Sequence, residues 1–84
     1  MKMNRWYVVE YTESYAPEVP AEEFDSYEDA VEYAKELARQ LEEDLGYEIV
    51  DRYPDFYTAR RYPGDLFRVI EVYSDEDLAR LRNS

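Results

Sequence analysis

The chain has no cysteine and no histidine among its 84 residues. Without thiols there is no disulfide framework and no thiolate metal site. Without imidazole, the side chain most often used for proton transfer near neutral pH is missing, and the serines lack their usual activating partner. Glycine occurs only twice, too rarely for a phosphate-cradling loop or a dinucleotide fingerprint. The acidic run EEFD at Glu22 to Asp25 lacks the alternating ligands and central glycine of a calcium loop. No apolar run approaches the ~20 residues that would span a bilayer, and the start, MKMNRWYVVEY, shows neither the apolar stretch nor the cleavage site of a signal peptide. These absences lead us to expect a soluble, cytoplasmic protein without enzymatic activity, cofactor, metal or membrane contact.

What the chain has in excess is negative charge. Twenty-one acidic residues against ten basic ones give a net charge of −11. Both nucleic acid and anionic membranes require lysine and arginine to neutralise phosphate, so the charge opposes direct binding to either and favours a basic protein partner. High acidity with few lysines is also the habit of proteins from salt-loving organisms, where it serves solubility and is spread evenly. Here it is clustered: residues 10 to 32 hold nine acids and no base.

The local patterns predict an α+β domain spanning residues 1–84, in the order β-α-β-β-β-α. RWYVVEY (5–11) reads as a strand from its aromatic and β-branched content. An acidic, proline-containing loop is expected over 12–25, with Tyr15, Val19 and Phe24 pinning it to the domain and Pro17 and Pro20 holding their predecessors extended. The next segment, SYEDAVEYAKELARQLEEDLG, reads as a long helix. Ser26 caps it with Asp29 three residues on, Gly46 stops it, and Tyr27, Ala30, Val31, Ala34, Leu37, Ala38, Leu41 and Leu45 form one apolar face. YEIVDRY is expected as a strand with Tyr47, Ile49 and Tyr53 on one side, and FYTARRY as another. The turn YPGD places Pro63 and Gly64 at the central positions of a type II turn. LFRVIEVY completes a mostly antiparallel four-stranded sheet. A short C-terminal helix, capped by Ser74 and Asp77, closes the chain. The first strand is expected to join the other three through a right-handed crossover containing the long helix.

Ten tyrosines, three phenylalanines and one tryptophan exceed what so small a core can hold. Strands with large side chains on both faces imply an open aromatic sheet face, and tyrosine, tryptophan and arginine are the types enriched at protein–protein hot spots. The acidic loop and helix start together suggest a projecting negative surface for a basic partner. Its candidate residues are Glu18, Glu22, Glu23, Asp25, Glu28, Asp29, Glu32 and Glu36, with Tyr15 and Phe24 as aromatic anchors. In size, lack of cysteine, acidity and the segment Glu10 to Glu36, the chain resembles the small acidic phage-encoded inhibitors of host defence, anti-CRISPR proteins in particular. That resemblance implies a small α+β fold and, as in some of its members, mimicry of nucleic acid at a basic groove. It rests on no shared motif and carries over no residue role. The alternative is a self-associating structural or adaptor module, of halophilic or designed origin, that forms a homodimer through the open sheet face and owes its acidity to solubility.

Overall fold

The computed structural model describes residues 5–14 and 22–76. Among them the chain forms β1 (Trp6–Thr12), β2 (Glu22–Phe24), α1 (Tyr27–Glu43), β3 (Glu48–Tyr53), β4 (Phe56–Arg60) and β5 (Arg68–Ser74). The five strands make one sheet in the order β2-β1-β5-β4-β3, with every neighbouring pair antiparallel. The helix packs against one face of this sheet.

α1 begins where the sequence says it should. Ser26 is extended and its Oγ accepts from the Asp29 N–H at 3.1 Å, which satisfies a donor that the first helical turn leaves without an internal partner. At the other end Gly46 takes a φ of +73°, and the Tyr47 N–H turns back to donate to the Leu41 carbonyl at 2.9 Å. Between these ends, Ala30, Ala34 and Ala38 recur every four residues and are fully buried, with Leu41 nearly so. Their small side chains let the helix lie close to the sheet, and the sheet supplies the bulk: Val8 from β1, Tyr57 and Ala59 from β4, and Ile70 from β5. Trp6, Phe24, Tyr33 and Leu37 pack around the margin, Trp6 edge-on to Tyr27 and Phe24 against Tyr33 at centroid distances of 4.9 and 5.1 Å.

Because strand side chains alternate in direction, burying Val8 and Ile70 beneath the helix sends Val9, Val69 and their same-face neighbours to the opposite side. The turn between β4 and β5 is as expected: Gly64 has a φ of +94° and the Asp65 N–H donates to the Tyr62 carbonyl at 3.0 Å.

Several expectations need correction. The sheet has five strands, not four, because Glu22–Phe24, within the segment read as the 12–25 loop, pairs with β1. Three residues are too short to show a period, and two of them are glutamates, which sequence patterns score against strand. The connection containing α1 therefore leaves from β2 at one sheet edge and arrives at β3 at the other, rather than leaving from the first strand. Ser74 is the last residue of β5, opposite Trp6, and Asp75 and Glu76 directly after it are helical. Asp77 and the rest of the expected C-terminal helix lie outside the described residues. Tyr53 does not share a side with Tyr47 and Ile49. A bulge between Ile49 and Asp51 resets the alternation, so Ile49 packs towards the core while Tyr53 pairs with Phe56 and stays 58% exposed. Leu45, placed by periodicity on the buried face, lies past the helix end and is 61% exposed.

Thermal melts followed by circular dichroism test this packing. Ala34→Asp buries an unpaired carboxylate, a cost of several kcal/mol against a total stability of ~5 kcal/mol or little more, and is expected to abolish the cooperative transition. Leu45→Glu is expected to shift stability by less than about 0.5 kcal/mol. Equal effects at the two positions would contradict the assigned helix face.

Candidate functional site

Two surfaces carry features that the fold itself does not consume. The first is the corner where β2 meets α1. Glu22 leaves the edge strand, Asp25 sits in the connecting turn, and Glu28, Asp29 and Glu32 follow on the first turns of the helix; all five are exposed. None forms an ion pair among the described residues. Helical rise spaces i,i+3 and i,i+4 carboxylates by ~4.5 to 6 Å along the axis. Acids in the first helical turn also interact favourably with the macrodipole, which accounts for the local tolerance of Glu28 and Asp29.

The arginines are spent elsewhere. Arg39 binds Glu36 and, at 2.6 Å, Glu43 along the outer ridge of α1. Arg52 joins β3 to Glu42 of the helix at 3.1 Å, Arg61 pairs with Asp65 at 3.1 Å, and Arg68 holds Glu10 at 3.0 Å and the Thr12 hydroxyl at 2.9 Å. The Arg39 hydrogen bond holds the Glu36 carboxyl below the usual glutamate range, and Arg61 does the same for Asp65.

This geometry sorts the sequence-derived binding residues. Glu22, Asp25, Glu28, Asp29 and Glu32 follow one another, exposed, from the edge strand into the first turns of the helix, with Glu32 bordering a groove it shares with Lys35, Arg39 and Arg52. Glu23 does not belong to this series, because it projects to the opposite sheet face from Glu22 and is bound to Arg5 at 2.7 Å. Glu36 is engaged by Arg39. Phe24 is not a free anchor: it packs against the core and Tyr33. Tyr15 and Glu18 lie outside the described residues.

The second surface is the sheet face opposite α1, where Val9, Thr58 and Val69 are buried and the larger side chains around them are partly exposed. Tyr7, Val9 and Tyr11 of β1 stand opposite Tyr73, Glu71 and Val69 of β5, and Phe56 of β4 flanks Glu71 from the other side. At the centre is a half-buried carboxylate. The Tyr73 hydroxyl donates to Glu71 Oε2, and Tyr11 hydrogen-bonds the same carboxylate. Burial raises the Glu71 carboxyl above its ordinary value, with the Tyr11 hydrogen bond opposing that shift; burial and the nearby Glu71 charge raise Tyr11 in turn. Tyr7 reaches Asp75 at the end of the face, and that hydrogen bond is the main cause of its raised hydroxyl. Further along, Arg60 lies over the Phe67 ring at 5.4 Å, its Nε buried without a hydrogen-bond partner. The sequence announces the aromatic character of this face through its alternation. It does not single out Glu71, which looks like any other strand glutamate until its cross-strand neighbours are known.

Among the described residues no group of acidic side chains has the geometry to hold a metal ion, and no helix is long and apolar enough to cross a membrane. Compared with known proteins, the chain matches no family model, no curated protein and no solved structure.

Glu71 generates a pH prediction. Below the range in which an unfolded glutamate titrates, ~4.3, it is protonated in both states. As pH rises through its higher folded value, the folded state pays a desolvation penalty for the charge, and stability is lost. Glu71→Gln keeps a carbonyl to accept from tyrosine and carries no charge. Its melting temperature is expected to exceed the parent's at pH 7, with the difference closing towards pH 4. A lower melting temperature at pH 7, or a difference that ignores pH, would contradict the assignment.

Proposed function

We propose that this protein is a binding inhibitor that occupies a basic, nucleic-acid-binding surface of another protein, its acidic corner standing in for a phosphate track. The observation that supports this most directly is the partition of charge: five of the six described arginines are tied into ion pairs on the body of the domain, while Glu22, Asp25, Glu28, Asp29 and Glu32 are left exposed and unpaired at one corner. Acidity that served solubility alone would have no need of this separation. The same action is what the resemblance to anti-CRISPR inhibitors implies, and it places the protein in the cytoplasm, where such partners work. The protein itself does not contact nucleic acid, since the corner repels phosphate.

The chemistry is electrostatic. Negative charge concentrated at one corner steers encounter with a positive groove, and interaction between exposed charges weakens once salt screens them beyond ~8 Å at 0.15 M. Attachment to the end of a capped helix keeps the carboxylates in a fixed row, so the ordering cost on binding is small compared with that of a free acidic tail.

The test starts from proteins eluted from a heparin column, which are selected for basic, nucleic-acid-binding surfaces. Immobilised protein is expected to retain a specific subset at low salt and release it as salt rises. A retained protein should lose its affinity for DNA or RNA when the soluble inhibitor is added in equal amount. A quadruple variant, Glu22→Gln, Asp25→Asn, Glu28→Gln and Glu32→Gln, neutralises the corner at exposed positions and should fail to compete while melting within a few degrees of the parent. Retention that is indifferent to salt and to neutralisation, or a retained protein that binds nucleic acid undiminished, would defeat the proposal.

A further inference from the structure

We propose that the open face of the sheet receives an arginine side chain from a partner protein, the guanidinium pairing with Glu71 and stacking on the tyrosine rings around it. This surface is separate from the acidic corner, and the inference stands whether or not the corner mimics nucleic acid.

The argument begins with position. β5 is the central strand of the five, so Glu71 occupies the middle of the face rather than an edge. Val9 and Phe56 are its direct cross-strand neighbours, Tyr73 lies two residues along the same strand, and Tyr7 and Tyr11 are its diagonals on β1. Strands ~4.8 Å apart, with same-side residues ~6.8 Å apart along each strand, bring four aromatic rings around one carboxylate. The separation is short enough for a cation above the carboxylate to lie within ~6 Å of a ring.

The carboxylate is also incompletely matched. Half-buried side chains of this type are normally paired, because desolvating a charge without a counter-charge is unfavourable. Among the described residues Glu71 has two tyrosine hydroxyls and no cation. Nor do the described residues offer one from nearby: Arg60 shares the face but is stacked on Phe67, and the other described arginines are paired elsewhere. An ionised carboxylate has about four acceptor sites; two tyrosine bonds leave room for the two parallel bonds of a guanidinium fork. The tyrosine rings select the same ligand, since a planar, weakly hydrated guanidinium stacks on aromatic faces where a compact, strongly hydrated ammonium does so less well.

A second copy of this chain fits the face poorly. A two-fold related pair buried through it would carry both Glu71 carboxylates into the same dry layer, two like charges where one already lacks a partner.

The probe is a short glycine–serine peptide carrying a single arginine, compared with the same peptide carrying citrulline or lysine. Citrulline keeps the shape of arginine and removes the charge. Binding is followed by the NMR signals of the tyrosine and phenylalanine rings. The arginine peptide is expected to bind weakly, with a Kd of about 1 mM, and to move the Tyr7, Tyr11, Phe56 and Tyr73 ring signals. Citrulline should bind at least tenfold more weakly and lysine several-fold more weakly. Glu71→Gln should reduce binding at least tenfold, and Tyr11→Leu several-fold with a changed pattern of ring shifts. Equal binding by citrulline, retention of affinity in Glu71→Gln, or shifts confined to the β2–α1 corner would overturn the inference. So would a concentration-dependent dimer that Glu71→Gln strengthens, which would assign the face to a second copy.

Discussion

The seating of Ala30, Ala34 and Ala38 on the sheet around Ile70 is the contact on which the remaining structure depends. Three methyl side chains at intervals of four residues form a shallow ridge, and only against large partners does such a ridge exclude water. Tyr57, Ile70, Val8 and Trp6 supply that bulk from three different strands, so one helix ties together segments far apart in the chain. In a domain this small, with few fully buried side chains, no second core could compensate for losing the first. The choice of helix face therefore also chooses the sheet face. Once Val8 and Ile70 point to the helix, the pleat commits Tyr7, Val9, Tyr11, Glu71 and Tyr73 to the other side.

Charge is organised by the same framework. The ion pairs that use arginine join the helix ridge to itself, β3 to α1, and β5 to β1, so positive charge is drawn into the body of the domain. Two groups of carboxylates outside these ion pairs have different surroundings. At the β2–α1 corner, exposed carboxylates stay well hydrated and act at a distance. On the open face, Glu71 is sheltered by rings and hydrogen-bonded by hydroxyls, so its charge is felt only by a group that enters the cradle. The first arrangement suits encounter with an extended basic surface; the second suits recognition of a single side chain.

Much of the fold was legible along the chain. The capped and apolar-striped helix, the turn at Pro63 and Gly64, and the alternation of β1 and β5 are encoded by neighbours three or four residues apart, or by strict period two, and local rules read them directly. The features that escaped are non-local. β2 is a strand because Glu22–Phe24 meets the free edge of β1, not because its residues favour extended structure. The bulge that separates Tyr53 from Ile49 exists only in relation to β4. Of the candidate binding residues, Glu22, Asp25, Glu28, Asp29 and Glu32 are exposed and form no ion pair among the described residues. Glu23 and Phe24 were drawn away by Arg5 and Tyr33, partners distant in the chain, and Glu36 by Arg39 three positions on, a local helix spacing.

By itself the sequence determined that the chain would be a single α+β layer of helix on sheet, strongly acidic at one end, with more aromatic side chains than a core of this size can bury. These properties follow from composition and short-range periodicity, which survive any rearrangement of the strands. Tertiary structure alone decided the strand order, the edge on which β2 lies, and the pairing of Arg5, Arg52 and Arg68 with acids distant in the chain. It also decided that one glutamate among thirteen would stand at the centre of four aromatic rings. Cross-strand register brings residues of β1, β4 and β5 side by side although some, such as Trp6 and Ser74, are more than sixty positions apart in the chain, and a local pattern carries no record of which strand will lie beside which.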